Sequence, residues 1–159
     1  NVNAETATYP RFESYETGLE IKNIVPDIDY SGGFSMVGNK MIGSGNALES
    51  ASLKFYRSGK VFLRAQSKSF SVKKDKLTSD NAAVTIFFEN DSIYHPGVSF
   101  KYIVSDRELA LIRGEEGKSK SPYFNSFHQV DMYFDGLYWK IDEPIVNMKM
   151  ISGTGESKA

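Results

Sequence analysis

The chain contains no cysteine. Disulfide staples and thiolate metal sites are excluded on that count, which leaves the compartment open, because a domain of this size lives outside a cell without bridges. Long apolar runs are missing too. The longest, around residues 84–88, extend four or five positions, against the roughly 20 that a helix needs to cross a bilayer, so no transmembrane helix is expected. Nor is there an excess of either charge: 19 basic residues face 20 acidic ones, and the basic ones are scattered apart from Lys73, Lys74 and Lys76. A nucleic-acid partner is excluded by the lack of a basic stripe able to neutralise several phosphates.

Signatures of catalysis are absent as well. Only His95 and His128 offer imidazoles, and their spacing places no two ligands on one element. A zinc site would have to draw on distant strands, with Asp91 or Asp131 as partners; a loop histidine beside a turn is the simpler reading. Acidic pairs occur at Asp27 and Asp29, Glu89 and Asp91, and Asp142 and Glu143. No complete calcium loop surrounds them, so they read as solvated turn carboxylates. No serine sits in a nucleophile elbow, and Gly43 and Gly45 complete no phosphate-binding fingerprint. They and Gly32-Gly33 read as turn or bulge glycines. No catalytic residue, metal or cofactor is assigned.

What is present describes a folded β domain. With 159 residues, 40% hydrophobic and 13% aromatic, the chain is long enough for one core and far from the composition of disorder. A single domain over 1–159 is expected. The chain starts at Asn1 without an initiator methionine and closes on a small, polar stretch. Both ends read as cuts in a longer polypeptide, with 1–10 and 152–159 as flexible ends.

Short strand-like runs alternate with turn dipeptides, Gly38-Asn39, Ser58-Gly59, Asn90-Asp91, Ser105-Asp106 and Asp135-Gly136. Residues 46–52 and 105–110 have weakly helical composition but are too short to stand as helices. Two hairpins are predicted in detail. Over 53–63, a three-residue loop with Gly59 left-handed pairs Phe55 with Val61 and Leu53 with Leu63; over 129–142, an Asp135-Gly136 turn pairs Phe134 with Leu137, Met132 with Trp139 and Val130 with Ile141. Reversals near Ser58, Lys74, Asn90 and Ser105 recur every 15 to 16 residues. The spacing fits antiparallel hairpins forming a β-solenoid-like jellyroll or a two-sheet β-sandwich.

The stretch from Gly32 to Arg113, with units such as Ser69-Phe70-Ser71-Val72-Lys73-Lys74-Asp75-Lys76-Leu77 and Gly97-Val98-Ser99-Phe100-Lys101-Tyr102, resembles the strand, charged turn, strand rhythm of the OstA-like β-jellyroll modules of lipopolysaccharide transport. It covers about half the chain and rests on rhythm. Asp91-Ser92-Ile93-Tyr94-His95-Pro96-Gly97 and Ser121-Pro122-Tyr123-Phe124-Asn125 are similar in style to large envelope or secreted proteins of Gram-negative bacteria. The resemblance implies an exported segment, periplasmic or at the cell surface, that scaffolds or binds. It carries no catalytic residue across.

One candidate surface emerges from the predicted second hairpin. Phe134 and Trp139 fall on its apolar face, whereas Tyr133 and Tyr138 oppose each other on the second face beside Asp131 and Lys140. Paired tyrosines among charges form a platform for a sugar ring or a protein surface. The expected function is therefore a non-catalytic structural or interaction module, whose partner is a protein or a neighbouring module of the same chain. The alternative is a carbohydrate-binding module that uses those tyrosines; a hydrolase domain comes last.

Overall fold

A computed structural model describes residues 11–13, 18–38, 40–45 and 50–151. Their strands all join one antiparallel sheet. The expectation of an all-β chain built from hairpins holds. Among the described residues the one helical piece is a short 3-10 turn over Gly117–Lys120.

The strands run as a meander. β1 (Arg11–Glu13) and β2 (Leu19–Val25) lie along one edge of β3 (Ile28–Val37); β4 (Lys40–Ser44) and β5 (Ala51–Arg57) follow each other along its other edge. β6 (Lys60–Ser67) and β7 (Ser69–Val72) return beside β5 and β4, and both then pair with β8 (Lys76–Phe87). β9 (Ser92–Ile103) pairs with β8 along its length. Next, β10 (Glu108–Ile112) and β11 (Tyr123–Asn125) lie along the far edge of β9. β12 (Val130–Met132) pairs with β11, β13 (Gly136–Lys140) with β10, and β14 (Asn147–Lys149) closes the order beside β13. The predicted reversals near Ser58, Lys74, Asn90 and Ser105 each fall between two paired strands.

One face is apolar because side chains alternate along each strand. Ile28, Phe55, Leu63, Ile86 and Ile93 form a single cross-strand row through β3, β5, β6, β8 and β9, all buried. The inward phase then slips by one residue in three neighbouring strands at the same height. Inward positions run through Leu63, Ala65 and Ser67 and resume at Phe70; through Leu77 and Ser79 and resume at Ala82; through Ile93 and His95 and resume at Val98. Ser67 pairs with Ala82, and Ala82 with Val98, so the inserted residues form one line across the sheet. Bulges aligned in this way bend strands sharply, which lets one sheet supply two packed layers.

The ring contacts show that it does. Three strand steps separate β5 from β9 and four separate β6 from β13, which in a flat sheet would be about 14 and 19 Å. Yet Phe55 and Tyr102 have centroids 5.0 Å apart, and Phe62 and Trp139 5.6 Å. The sheet has folded over, face to face, as in a β-sandwich. Its far ends clasp: Arg107 reaches Asp27 at 3.6 Å and Asp142 at 2.8 Å, and Arg57 donates to the carbonyl of Ile141 while lying over Phe62 and Trp139.

Both detailed hairpin registers require correction. In the first, Ser58 and Gly59 are both left-handed (φ 51° and 75°) and make a two-residue turn, and a bulge follows, so Phe55 pairs with Leu63 and Leu53 with Ala65. The extra residue lets Phe62 and Leu63 both be buried. In the second, no hairpin forms over 129–142, because β12 pairs back to β11 and β13 pairs with β10, setting Trp139 opposite Leu109. Gly136 has no turn conformation; a Cβ there would lie 2.8 Å from the Tyr138 ring and 3.1 Å from Ile151. The glycine serves packing. Of the bulge and turn glycines, Gly32 does have φ +146°, and Gly43 lies under the buried ring of Tyr30.

Candidate interaction surfaces

The four residues of the predicted tyrosine surface separate once β12 and β13 join different partners. Tyr133 is 65% exposed and lies under the guanidinium of Arg113, 5.7 Å from its ring centroid. Tyr138 is half-buried opposite Ala110 and Asn147, with Lys149 Nζ 5.4 Å from its ring. Asp131 stands opposite Phe124, and Lys140 opposite Glu108. Alternation placed Phe134 and Trp139 inside and the two tyrosines outside, as read from the sequence. The opposed tyrosine pair does not exist.

Tyr138 belongs instead to a C-terminal patch. β14 pairs only with β13 among the described residues, and Ile145, Met148, Met150 and Ile151 are 44 to 66% exposed around it. Asp135 anchors this end: its carboxylate accepts from the Ile151 amide at 2.8 Å and from Arg113 Nη2 at 3.3 Å, and its own amide donates to the Lys149 carbonyl at 3.0 Å. The four apolar residues within seven positions were visible in the sequence as a pattern. Nothing in it showed that they border a free strand.

A second feature lies on the outer face over the bulge line, an open groove of about 700 Å³. Ser67 and Ser79 form its floor, their hydroxyl oxygens 2.7 Å apart, and they accept from the Ser69 and Asn81 amides freed by the irregular backbone. Gln66, Ser71 and Thr78 point into it from β6, β7 and β8, and Tyr94 and Pro96 wall it from β9. Pro96 is tolerated mid-sheet because β10 pairs with β9 only from Ser99 and β11 only at Ile93 and Tyr94, so no neighbour on that edge calls for its missing N–H. Tyr94, 41% exposed, stands opposite the exposed Phe124.

The groups with displaced protonation are committed elsewhere. Burial lowers the pKa of His95, with Arg113 adding to the effect and the Ser121 carbonyl opposing it. The ring is 2.6 Å from that carbonyl through Nε2 and accepts the Gly97 amide at Nδ1, which fixes the neutral form with its proton on Nε2. His95 is thus a core residue, not a loop histidine. Burial also pushes Tyr30 up to about 12 and raises Tyr123. Asp91 is partly desolvated, yet its carboxyl is held below the usual range by bonds from Phe127 N, Asn125 Nδ2, Ser126 Oγ and Ser92 N, which tie the β8–β9 turn to the β11–β12 turn. Asp27 and Asp29 turn to different cations, Arg107 and Lys22. Among the described residues no three histidine or carboxylate side chains converge, and no helix is long and apolar enough to cross a membrane.

No protein-family model, curated protein or solved structure matches the chain.

Proposed function

We propose that the chain is a non-catalytic interaction module of an exported protein, joined to a neighbouring module or a protein partner at the β13–β14 edge. One observation carries this reading: Ile145, Met148, Met150 and Ile151 lie exposed around a strand that is paired on one side only among the described residues. Single exposed apolar residues are ordinary on a soluble surface, but several beside a free edge form the kind of patch that binds. β14 is three residues long, so it offers apolar area more than a hydrogen-bonding template. The non-catalytic reading is supported by His95, Tyr30 and Tyr123, whose ionisable atoms are held inside the core. The exported setting rests on the resemblance of 32–113 to OstA-like modules.

With no neighbour supplied, the same edge meets the same edge of a second copy, a self-complementary contact about a two-fold axis. Sedimentation velocity of the chain at rising concentration tests this. A reversible dimer is expected, and it is lost in the Met150→Lys, Ile151→Lys double variant, whose exposed positions leave the fold intact. A chain that stays monomeric to millimolar concentration, indistinguishable from the variant, would overturn the proposal.

A further inference from the structure

The groove over the bulge line differs in chemistry from the C-terminal patch and stands on its own. Its volume of about 700 Å³ is that of a small-ligand site, which ordinarily spans about 300 to 1,000 Å³ and is mainly apolar. Here hydroxyl and amide side chains make up more than half of the lining residues, beside Ala83, Tyr94 and Pro96. Ser71, Thr78 and Gln66 make no hydrogen bond through their side chains with the described residues, so their donors and acceptors face the groove. Ser and Thr hydroxyls and the Gln amide each donate and accept. A partner presenting many groups of the same double character matches them; an aliphatic ligand leaves them unpaired and loses affinity.

Charge narrows the class further. Lys68 and Lys118 border the groove opposite a single acid, Asp80. Two lysines are too few for a nucleic-acid backbone, whose binding rests on several neutralised phosphates. Tyr94 supplies what remains. It is the aromatic wall of the groove and continues into Phe124 on the next strand, and aromatic faces take the apolar C–H faces of flat, hydroxylated rings at low entropic cost. Gly97 helps set the shape: a Cβ there would collide with Asn81 Oδ1, so the glycine lets the Asn81 side chain lie over β9, with the Lys118 stem beside it.

We propose that this groove is an oligosaccharide site, in which Tyr94 stacks on a sugar ring and Gln66, Ser71 and Thr78 bond its hydroxyls. An open groove with few ordered contacts holds such a ligand at about millimolar Kd. Saturation-transfer NMR on the 159-residue chain with maltohexaose, cellohexaose, chitohexaose and an oligogalacturonate tests it, with inorganic phosphate as a separate arm. At least one oligosaccharide should bind and shift the Tyr94 ring signals. Tyr94→Ala should weaken binding about tenfold, the scale of one lost aromatic contact, with Tm unchanged because the ring lies outside the core. Thr78→Trp should abolish binding by filling the groove; should that variant unfold, Ser71→Trp fills the same space from its register partner. Silence from all four oligosaccharides would overturn the proposal. So would binding that neither Tyr94→Ala nor a filling variant alters, or binding of phosphate alone.

Discussion

The ring of Tyr123 lies flat on that of Phe134, centroids 4.1 Å apart and planes 11° apart, and His95 packs on Tyr123 at 4.7 Å. This stack joins β9 to β11 and to the segment entering β13. It also makes His95 the buried titratable group whose protonation the fold opposes most directly.

Stability should therefore fall as pH drops below the ordinary histidine range. The folded pKa is lowered, so the unfolded chain takes up a proton first, below its pKa of 6.5, and the favourable term present above that value is lost toward the depressed folded pKa. Urea midpoints measured between about pH 5 and 8 should decline on the acid side for the native chain and flatten for His95→Asn. Parallel profiles for the two proteins would refute the assignment.

Ser67 should be costly to remove although it is only a hydroxyl. Ser67→Ala takes away the acceptor of the Ser69 amide and the partner of Ser79 within the bulge line, an unsatisfied-group penalty of about 1 to 3 kcal/mol. Chemical denaturation reads it, and a loss under half a kcal/mol would mean that the bulges are held by something else.

Trp139 and Tyr133 should differ sharply despite their closeness in sequence. Trp139 packs edge-on to Phe62 and donates through Nε1 to the Glu143 carbonyl at 2.7 Å, so Trp139→Ala should cost about 3 to 5 kcal/mol. Tyr133 lies on the surface, and Tyr133→Ala should cost about 1 kcal/mol or less. Equal losses in equilibrium unfolding would contradict the buried place given to Trp139 and the surface place given to Tyr133.

The parts of this fold legible in the sequence were local. Alternation and turn dipeptides located the reversals near Ser58, Lys74, Asn90 and Ser105, because short hairpins are decided by nearby residues. The pairing of β13 was not legible. Asp135-Gly136 has turn composition, but Arg113 and the amide of Ile151 claim the Asp135 carboxylate, and Leu109 offers Trp139 a better-buried partner than Met132. Such competition is settled by residues far away in sequence. The phase slips at 67 to 70, 79 to 82 and 95 to 98 were there to be read as i, i+2, i+5 spacings, and they mark both the fold line and the groove. The tyrosine surface was lost with the register; the C-terminal patch needed the strand order to be seen.

Gly43 carries a further prediction. A Cβ there would lie 2.6 Å from Cε2 of the buried Tyr30 ring, whose hydroxyl donates to the Gly33 carbonyl. Gly43→Ala should destabilise by about 1 to 3 kcal/mol through overpacking, and the double variant with Tyr30→Leu should recover part of that loss in a double-mutant cycle. Simple additivity would place the ring elsewhere.

The absence of native cysteine makes a single introduced thiol a unique reporter for the edge contact. Met148→Cys, oxidised gently at a concentration where the chain associates, should give a disulfide-linked dimer across the β14 edge, while Thr85→Cys on the outer face of β8 should stay monomeric under the same conditions. Equal cross-linking of the two variants, or none in Met148→Cys, would contradict the claim that this chain meets its neighbours at its C-terminal strand.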